Sequence, residues 1–308
     1  MKILLTGATG LIGSRFEELL FEKHQIIPLS SSNGVDITDK DSITQFLADK
    51  SFDVVVHMAG KTNVDSCELD KPSDLQTLGV AESELMDLEM STVDASIWKH
   101  SKSAVAINSI GTKNLYDVAR SKGAKFIYIS TDFVFSGNDG PYEEGSKPDP
   151  VDWYGMSKYL GEKVLDKTED LVVRISFPYG YESPVKKDLV CRLYSLLSEK
   201  SEVSLVSDQI ITPTFIDDIV MGLDFLINSQ KSGVIHLTGG SSLSPEEIGL
   251  KIKEAFGLKT SIGKSSLKDV YAQKAPRPFQ SVMKNDTLTS LGFKPKTFDE
   301  GLELIKKI

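Results

Sequence analysis

The chain has 308 residues, 40% of them apolar, and a formal net charge of -9; this is enough for one large core, or for a nucleotide-binding core with a smaller second lobe. An acidic chain with no basic cluster is a poor binder of phosphate backbones, so no nucleic-acid partner is expected. Two cysteines, Cys67 and Cys191, are too few for a disulfide framework and fit a reducing compartment or simply small buried side chains. No apolar run approaches the ~20 residues of a membrane span, and Met1 to Leu5 meets a glycine turn too early for a signal peptide. The expectation is a cytoplasmic protein with no membrane partner.

From Lys2 to about Ser130, short apolar runs alternate with amphipathic stretches, the pattern of repeated βαβ units. Strands are predicted at Lys2 to Leu5, Gln25 to Leu29, Val54 to His57, Phe126 to Ile129 and Leu171 to Ile175. Helices are predicted at Ser14 to Lys23, Ser42 to Lys50 and Thr112 to Lys122, each long enough to cross over a sheet. The stretch from Asp70 to Lys102 is acidic, Ser-rich and dense in Leu and Met, and reads as a helical excursion. Later come a helix at Leu189 to Leu197, a Pro-containing strand region at Ile210 to Phe215, a helix at Asp217 to Ile227 and a strand at Val234 to Leu237. A last helix, Pro245 to Phe256, has Ser244 as its N-cap and Pro245 in its first turn. The fold class is therefore α/β: a doubly wound parallel sheet of Rossmann type with a smaller C-terminal α+β lobe for substrate. The expected division is 1–180, with 216–238 packing back onto it, and 181–308.

Thr6-Gly-Ala-Thr-Gly-Leu-Ile-Gly13 follows the first strand and opens the first helix, the context that makes a glycine pattern a dinucleotide turn. Gly7 permits the tight turn, Gly10 lets the backbone approach a pyrophosphate, and Gly13 lets helix pack on strand. The second strand ends in Leu29-Ser-Ser-Ser-Asn33. An acidic residue there would bind the ribose 2′-hydroxyl and repel a 2′-phosphate; Ser30 does neither, so the cofactor is NADP(H) or NAD(H) with a lean to NADP(H). Asp36 and Ile37 are adenine contacts, or Asp36 caps the next helix; both stay open. His57-Met-Ala59-Gly60 ends the third strand with small residues against which a cofactor can lie, and His57 itself reads as packed or hydrogen-bonded and not catalytic.

Tyr154-Gly-Met-Ser-Lys158 puts a phenol and an ammonium one helical turn apart on one face. A nearby cation stabilises a phenolate and brings a tyrosine pKa of about 10 toward the working range. Lys158 supplies that charge and can also donate to the nicotinamide ribose. Ser130-Thr131-Asp132 ends an apolar strand, where ligands bind in open parallel sheets. With Tyr154 donating a proton and Thr131 holding the same oxygen, a developing alkoxide is neutralised as hydride arrives. Asp132 takes a catalytic or substrate role, or caps the strand-end loop.

These residues resemble the extended short-chain dehydrogenase/reductases along nearly the whole chain, and within them the dTDP-4-dehydrorhamnose reductase group. The matching pieces are Gly7 to Ser14, Val64 to Glu68, Ile107 to Leu115, Ser130 to Gly137, Pro141 to Glu144, Asp149 to Glu162, Asp208-Gln209 with Pro213-Thr214, and Pro276 to Met283. The resemblance implies Tyr154 as proton donor, Lys158 as its partner and cofactor ligand, and Thr131 as the tuning hydroxyl. It implies cofactor contacts at Gly7, Gly10, Leu11, Ile12, Ala59, Gly60, Thr62, Phe177 and Tyr179, to which Ser130 is added. The substrate would be a nucleotide sugar, with Asp132, Phe133 and Arg277 on its side. Read from residues alone, Arg277 between Pro276 and Pro278 is a diphosphate clamp or a surface salt bridge. The segment between Glu68 and Ile107 is longer than the family's. No metal site is expected, and a homodimer stays open.

Three functions follow. The first is an NAD(P)H-dependent reductase of a nucleotide-activated 4-keto-6-deoxysugar. The second is a nucleotide-sugar epimerase or dehydratase, against which Phe133 stands where related dehydratases carry a glutamate. The third is a non-catalytic dinucleotide-binding regulatory subunit of the kind that accompanies methionine adenosyltransferase.

Overall fold

The computed structural model describes residues 1–180 and 187–306. In chain order the first half forms β1 (Lys2–Thr6), α1 (Leu11–Leu20), β2 (Gln25–Leu29), α2 (Lys40–Leu47), β3 (Val54–His57), α3 (Val64–Leu78), α4 (Gly111–Ser121), β4 (Lys125–Thr131), α5 (Trp153–Glu162) and β5 (Leu171–Ile175). Then follow β6 (Pro178–Tyr179), α6 (Leu189–Glu199), β7 (Glu202–Val206), β8 (Thr214–Phe215), α7 (Ile216–Asn228), β9 (Gly233–Leu237), α8 (Pro245–Phe256) and β10 (Ser261–Ser265). Three short helices end the chain: α9 (Leu267–Val270), α10 (Asp286–Ser290) and α11 (Phe298–Ile305).

One six-stranded sheet has the order β2-β1-β3-β4-β5-β9. β1 pairs in parallel with β2 and with β3, and β3 with β4. All four residues of β3 are buried, the continuous apolar run of a strand covered on both faces. The order reverses between β1 and β3, and there Thr6 lies opposite His57 and His57 opposite Tyr128. This is the switch point at which open parallel sheets bind ligands.

The chain divides into two compact units, 1–134 with 150–173 and 231–234, and 135–149 with 174–230 and 235–308. The division follows contacts and not chain order. In the first unit one core gathers Leu4, Leu29, Ile43, Val55, Leu115 and Phe126 among others. A second core joins Cys67, Leu85, Met90 and Trp98 to Trp153, Met156 and Leu160 of α5. In the second unit Tyr179, Phe215, Ile248, Ile252 and Phe298 form the core, and two-stranded pairs β7–β10 and β6–β8 flank it.

The excursion from Asp70 to Lys102 is only partly helical. α3 ends at Gly79, which takes φ +70° as its left-handed cap. Beyond it come three 3-10 turns, Glu82–Glu84, Met90–Thr92 and Ala95–Trp98. Leu85, Met90 and Trp98 are each fully buried beneath them, which contributes about 1.5–3 kcal/mol per large side chain and fixes irregular backbone that has little helix propensity. The expected strand at Ile210 to Phe215 shrinks to Thr214–Phe215, with Ile210 and Ile211 forming single bridges to Gln280 and Leu243. Ser244 does cap α8, accepting from Glu247 N.

Candidate active site

The glycine turn is built for close approach. Gly7 has φ +70°, and a Cβ there would lie 2.9 Å from Ala59 N and from Met58 C. A Cβ on Gly13 would run into the Gly7 carbonyl. Gly10 stands at the N-cap of α1 in extended backbone; no side chain caps the helix and no acid lies in its first turn. The amides of Leu11 and Ile12 thus open an anion-binding helix end. At the end of β4, Ser130 Oγ is buried and has no hydrogen-bond partner among the described residues. A helix end without a cap, a turn that excludes Cβ atoms and an orphaned hydroxyl at the sheet's switch point all fit a bound dinucleotide.

At the end of β2, Ser30 is partly exposed and its hydroxyl is 2.6 Å from Ser32 Oγ. Asp36 does not cap the next helix, which corrects one of its two sequence readings. Asp39 is the cap of α2, accepting from Asp41 N. Asp36 Oδ1 instead accepts from the Thr38 amide and hydroxyl, and its Oδ2 lies 3.2 Å from His100 Nδ1 and 3.1 Å from Lys102 Nζ. Burial alone would raise this carboxyl's pKa, but the donors from Thr38, His100 and Lys102 outweigh it and hold it well below the usual range. The excursion thereby engages the one carboxylate expected near the adenine. Ile37 is buried in the core against Gly111.

α5 starts at Asp152, whose carboxylate accepts from Gly155 N at 2.8 Å. Gly155 allows the helix onto the Phe133 carbonyl, where a Cβ would collide. The half-buried Tyr154 meets Phe133 edge-to-face, ring centroids 5.6 Å apart, with the Thr131 side chain close enough to favour its ionised form. Thr131 Oγ1 donates to Asp132 Oδ1 at 3.1 Å and accepts from Phe133 N at 3.3 Å. Asp132 is therefore part of the strand-end loop beside the tyrosine.

The electrostatics correct one expectation. The Tyr154 phenol is not brought down toward the working range here: burial raises its pKa, the Thr131 side chain opposes the rise and Asp132 adds to it. The Lys158 ammonium instead donates to Ile129 O at 2.7 Å and lies 4.0 Å over the Tyr128 ring. Its burial lowers the amine to about 7, with Glu162 opposing the fall. Burial thus favours the neutral forms of both the phenol and the amine.

Sequence reading missed the supports. Residues Ala106–Ile110 form a π-turn leading into α4, a distortion frequent at functional sites. In it Asn108 accepts from Lys61 N at 2.8 Å, and its amide donates to Lys61 O at 3.0 Å and Ser157 Oγ at 2.8 Å. Asn108 Oδ1 is also where a Cβ on Gly60 would point, 3.0 Å away, with Lys158 Nζ at 3.9 Å. Ala59 donates its amide to Thr6 Oγ1, while Thr62 is exposed one residue beyond Lys61. Acids on α3 satisfy donors that helix starts leave open: Glu68 takes Trp153 N at 2.8 Å, Asp74 takes Trp153 Nε1 at 2.8 Å and Val105 N at 3.1 Å, and Asp70 takes Ala104 N at 2.9 Å. The Val64-Asp-Ser-Cys-Glu68 motif was the available signal for the first of these.

Phe177, Tyr179 and Arg277 belong to the second unit. Phe177 holds φ +38°, costly for a residue with a Cβ, and its carbonyl accepts from Thr214 N at 3.1 Å. The Tyr179 side chain is fully buried between Phe215 and Phe298; it serves the core, which corrects its side chain's assignment to the cofactor. Arg277 donates to Ala275 O at 2.7 Å and stacks over Tyr271 with its guanidinium carbon 4.8 Å from the ring.

Comparison with known proteins gives a consistent family. The RmlD substrate binding domain profile matches residues 1–88 and 90–307. The spore coat polysaccharide biosynthesis protein SpsK of Bacillus subtilis is 30% identical over 305 residues, spanning 98% of this chain and 95% of its own. The dTDP-4-dehydrorhamnose reductase of Mycolicibacterium smegmatis is 28% identical over 300 residues, spanning 96% and 81%. Among solved structures, dTDP-4-dehydrorhamnose reductase of Bacillus anthracis in complex with NADP superposes with a TM-score of 0.82 at 29% identity, covering 99% and 98% of the two chains.

Proposed function

The chain belongs to the RmlD substrate binding domain family, and from that membership we propose that it is an NAD(P)H-dependent reductase of a nucleotide-activated 4-keto-6-deoxysugar, with Tyr154 as proton donor. The observation that carries the reading is the placing of Tyr154 edge-to-face on Phe133 at the end of β4, beside Thr131 and one helical turn from Lys158. The relatives named as reductases support the substrate class, and the NADP complex of the Bacillus anthracis protein supports the cofactor. When bound, the reduced nicotinamide supplies the hydride. The residues to hold the dinucleotide are Gly7, Gly10, Leu11, Ile12, Gly13, Ala59, Gly60, Thr62, Ser130 and Lys158.

The residues' work follows from their protonation. Tyr154 Oη, kept protonated by burial, delivers its proton to the substrate oxygen, and Thr131 Oγ1 steadies that oxygen. A phenol whose pKa is raised is a reluctant acid, so Lys158 must be charged when the proton leaves. The absence of a carboxylate at Ser30, and the engagement of Asp36 by His100 and Lys102, favour a 2′-phosphate. Asp132 and Phe133 are assigned to the sugar and Arg277 to the diphosphate, a bidentate partner for its guanidinium.

Tyr154→Phe tests the core of this. With a dTDP-4-keto-6-deoxysugar and NADPH, loss of absorbance should slow by about 10²–10⁴-fold, while NADPH affinity holds. Unchanged turnover would remove Tyr154 as donor, and no turnover by the unmodified chain on any such sugar would remove the reductase reading.

A further inference from the structure

Four residues from the switch point form one directional chain of hydrogen bonds, and none of them touches a reacting atom in the proposal above. Thr6 Oγ1 accepts from two backbone amides, Met58 N at 3.1 Å and Ala59 N at 3.0 Å. Both of its acceptor positions are used, so its own proton points to its remaining neighbour, His57 Nδ1, at 2.6 Å. Nδ1 is therefore the acceptor, and the imidazole proton sits on Nε2, 3.0 Å from Thr112 Oγ1. Thr112 in turn donates to Asn108 O at 2.7 Å. The opposite tautomer would set two protons against each other at Thr6 and leave Thr112 without its donor.

The ends of this chain are where the site is assembled. At one end Thr6 pins Met58 and Ala59 against Gly7 of the dinucleotide turn. At the other, Asn108 holds Lys61 by both backbone groups and reaches Ser157 Oγ between Tyr154 and Lys158. Tyr128 OH adds a second donor to Asn108 O at 3.0 Å. His57 is the central link: fully buried, flanked by the rings of Phe126 and Tyr128. Burial first, and then the positive charge of Lys158, lower its pKa to about 3. Among the described residues its surroundings are thus two hydroxyls, two rings and the Lys158 amine, and no carboxylate there favours the charged form.

We propose that His57, held as the neutral Nε2–H tautomer by Thr6 and Thr112, is a positioning residue that keeps the Ala59–Gly60–Lys61 wall in register with the Tyr154–Lys158 helix. This rests on the reductase reading for its purpose but is tested apart from it. The full unmodified chain, ¹⁵N-labelled at histidine, should show one neutral Nε2-protonated ring that does not titrate between pH 5.5 and 8.5, assigned by its loss in His57→Gln. Thr112→Val removes the acceptor for Nε2–H without changing side-chain shape. It should weaken NADPH binding measured by calorimetry by about ten-fold, as expected for one broken buried hydrogen bond, and Thr112→Ser should restore it. An Nδ1-protonated or charged His57 in that pH window overturns the proposal, and this reading requires only the assignment variant His57→Gln to fold, not Thr112→Val. So does a Thr112→Val protein that melts earlier yet binds NADPH as before, since that is what a merely structural hydrogen bond would give. If binding responds as stated while no keto-sugar is reduced, the positioning role stands and the reductase reading falls.

Discussion

Two helices of the first unit begin in opposite ways. α1 starts on Gly10 with no side-chain cap and no acid in its first turn. α5 starts on Asp152, whose carboxylate takes Gly155 N, and Glu68 from α3 takes Trp153 N. A helix N-terminus carries roughly half a positive charge and a set of open amide donors. Where side-chain carboxylates satisfy them, the helix becomes a fixed platform, and Tyr154 and Lys158 stand on it. Where glycine leaves them open, the same donors are available to a ligand anion. One electrostatic feature of helices thus serves positioning in one place and binding in the other, according to what the preceding residues supply.

The strongest way to break this contrast is to close α1. Gly10 has φ -82° and ψ 173°, which aspartate adopts readily, and a Cβ there has only Gly7 O within 4 Å, at 3.1 Å. Gly10→Asp should change the melting temperature little, because the about 1 kcal/mol contributed by an N-cap carboxylate offsets the tight 3.1 Å approach of its Cβ to Gly7 O. NADPH affinity should fall by about 100-fold or more, because a carboxylate then occupies the anion's place and repels its charge. Gly10→Asn, an uncharged cap, should lose less. A Gly10→Asp protein that binds NADPH normally would mean that α1 is not the phosphate end.

A smaller effect tests the platform's charge. Lys158 has its folded pKa lowered to about 7, while the unfolded chain keeps the ordinary lysine value. Between those values the unfolded state holds a proton that the folded state lacks, so stability rises with pH there; below about 7 the full cost of burying the cation is present. The ligand-free chain, measured by urea unfolding against Lys158→Met, should therefore gain about 2 kcal/mol relative to the variant from pH 7 to pH 8.5. A pH-independent difference would show that the amine stays charged throughout, and with it that the tyrosine's partner needs no cofactor to charge it.

The contrast also explains what the sequence could show. β3 and β5 occur at the residues expected of them, Val54–His57 and Leu171–Ile175, because a fully buried strand is a local pattern bounded by local punctuation. Gly7, Gly10 and Gly13 were legible because a turn needs them whatever lies elsewhere, and Tyr154 and Lys158 because a helical period joins them. Asp36 was not legible: its partners His100 and Lys102 lie 64 and 66 positions away, in a segment without period. Asn108 and the acids of α3 were hidden in the same way, since each draws its meaning from a backbone amide on another element. β10 was missed because Ser-Ile-Gly-Lys-Ser has little strand propensity and forms only by pairing with β7.

The smallest predicted effect tests the closed end of the comparison. Glu68 Oε2 is 2.8 Å from Trp153 N, the first amide of α5, and Lys71 Nζ is 3.9 Å from its other oxygen. Glu68→Ala leaves that amide without its acceptor beside a fully buried indole, at a cost of about 1 kcal/mol by the usual figure for a lost cap or hydrogen bond. The helix start should then shift enough to lower kcat by about three- to ten-fold on the keto-sugar, whereas the KM for NADPH should hardly move if α1, and not α5, is the phosphate end. Glu68→Gln keeps an acceptor oxygen in place and should recover most of the rate. If Glu68→Ala instead raises the NADPH KM and spares kcat, the two helix ends do not divide binding from positioning, and Glu68 acts on the cofactor wall through Lys61 and its neighbours on α3.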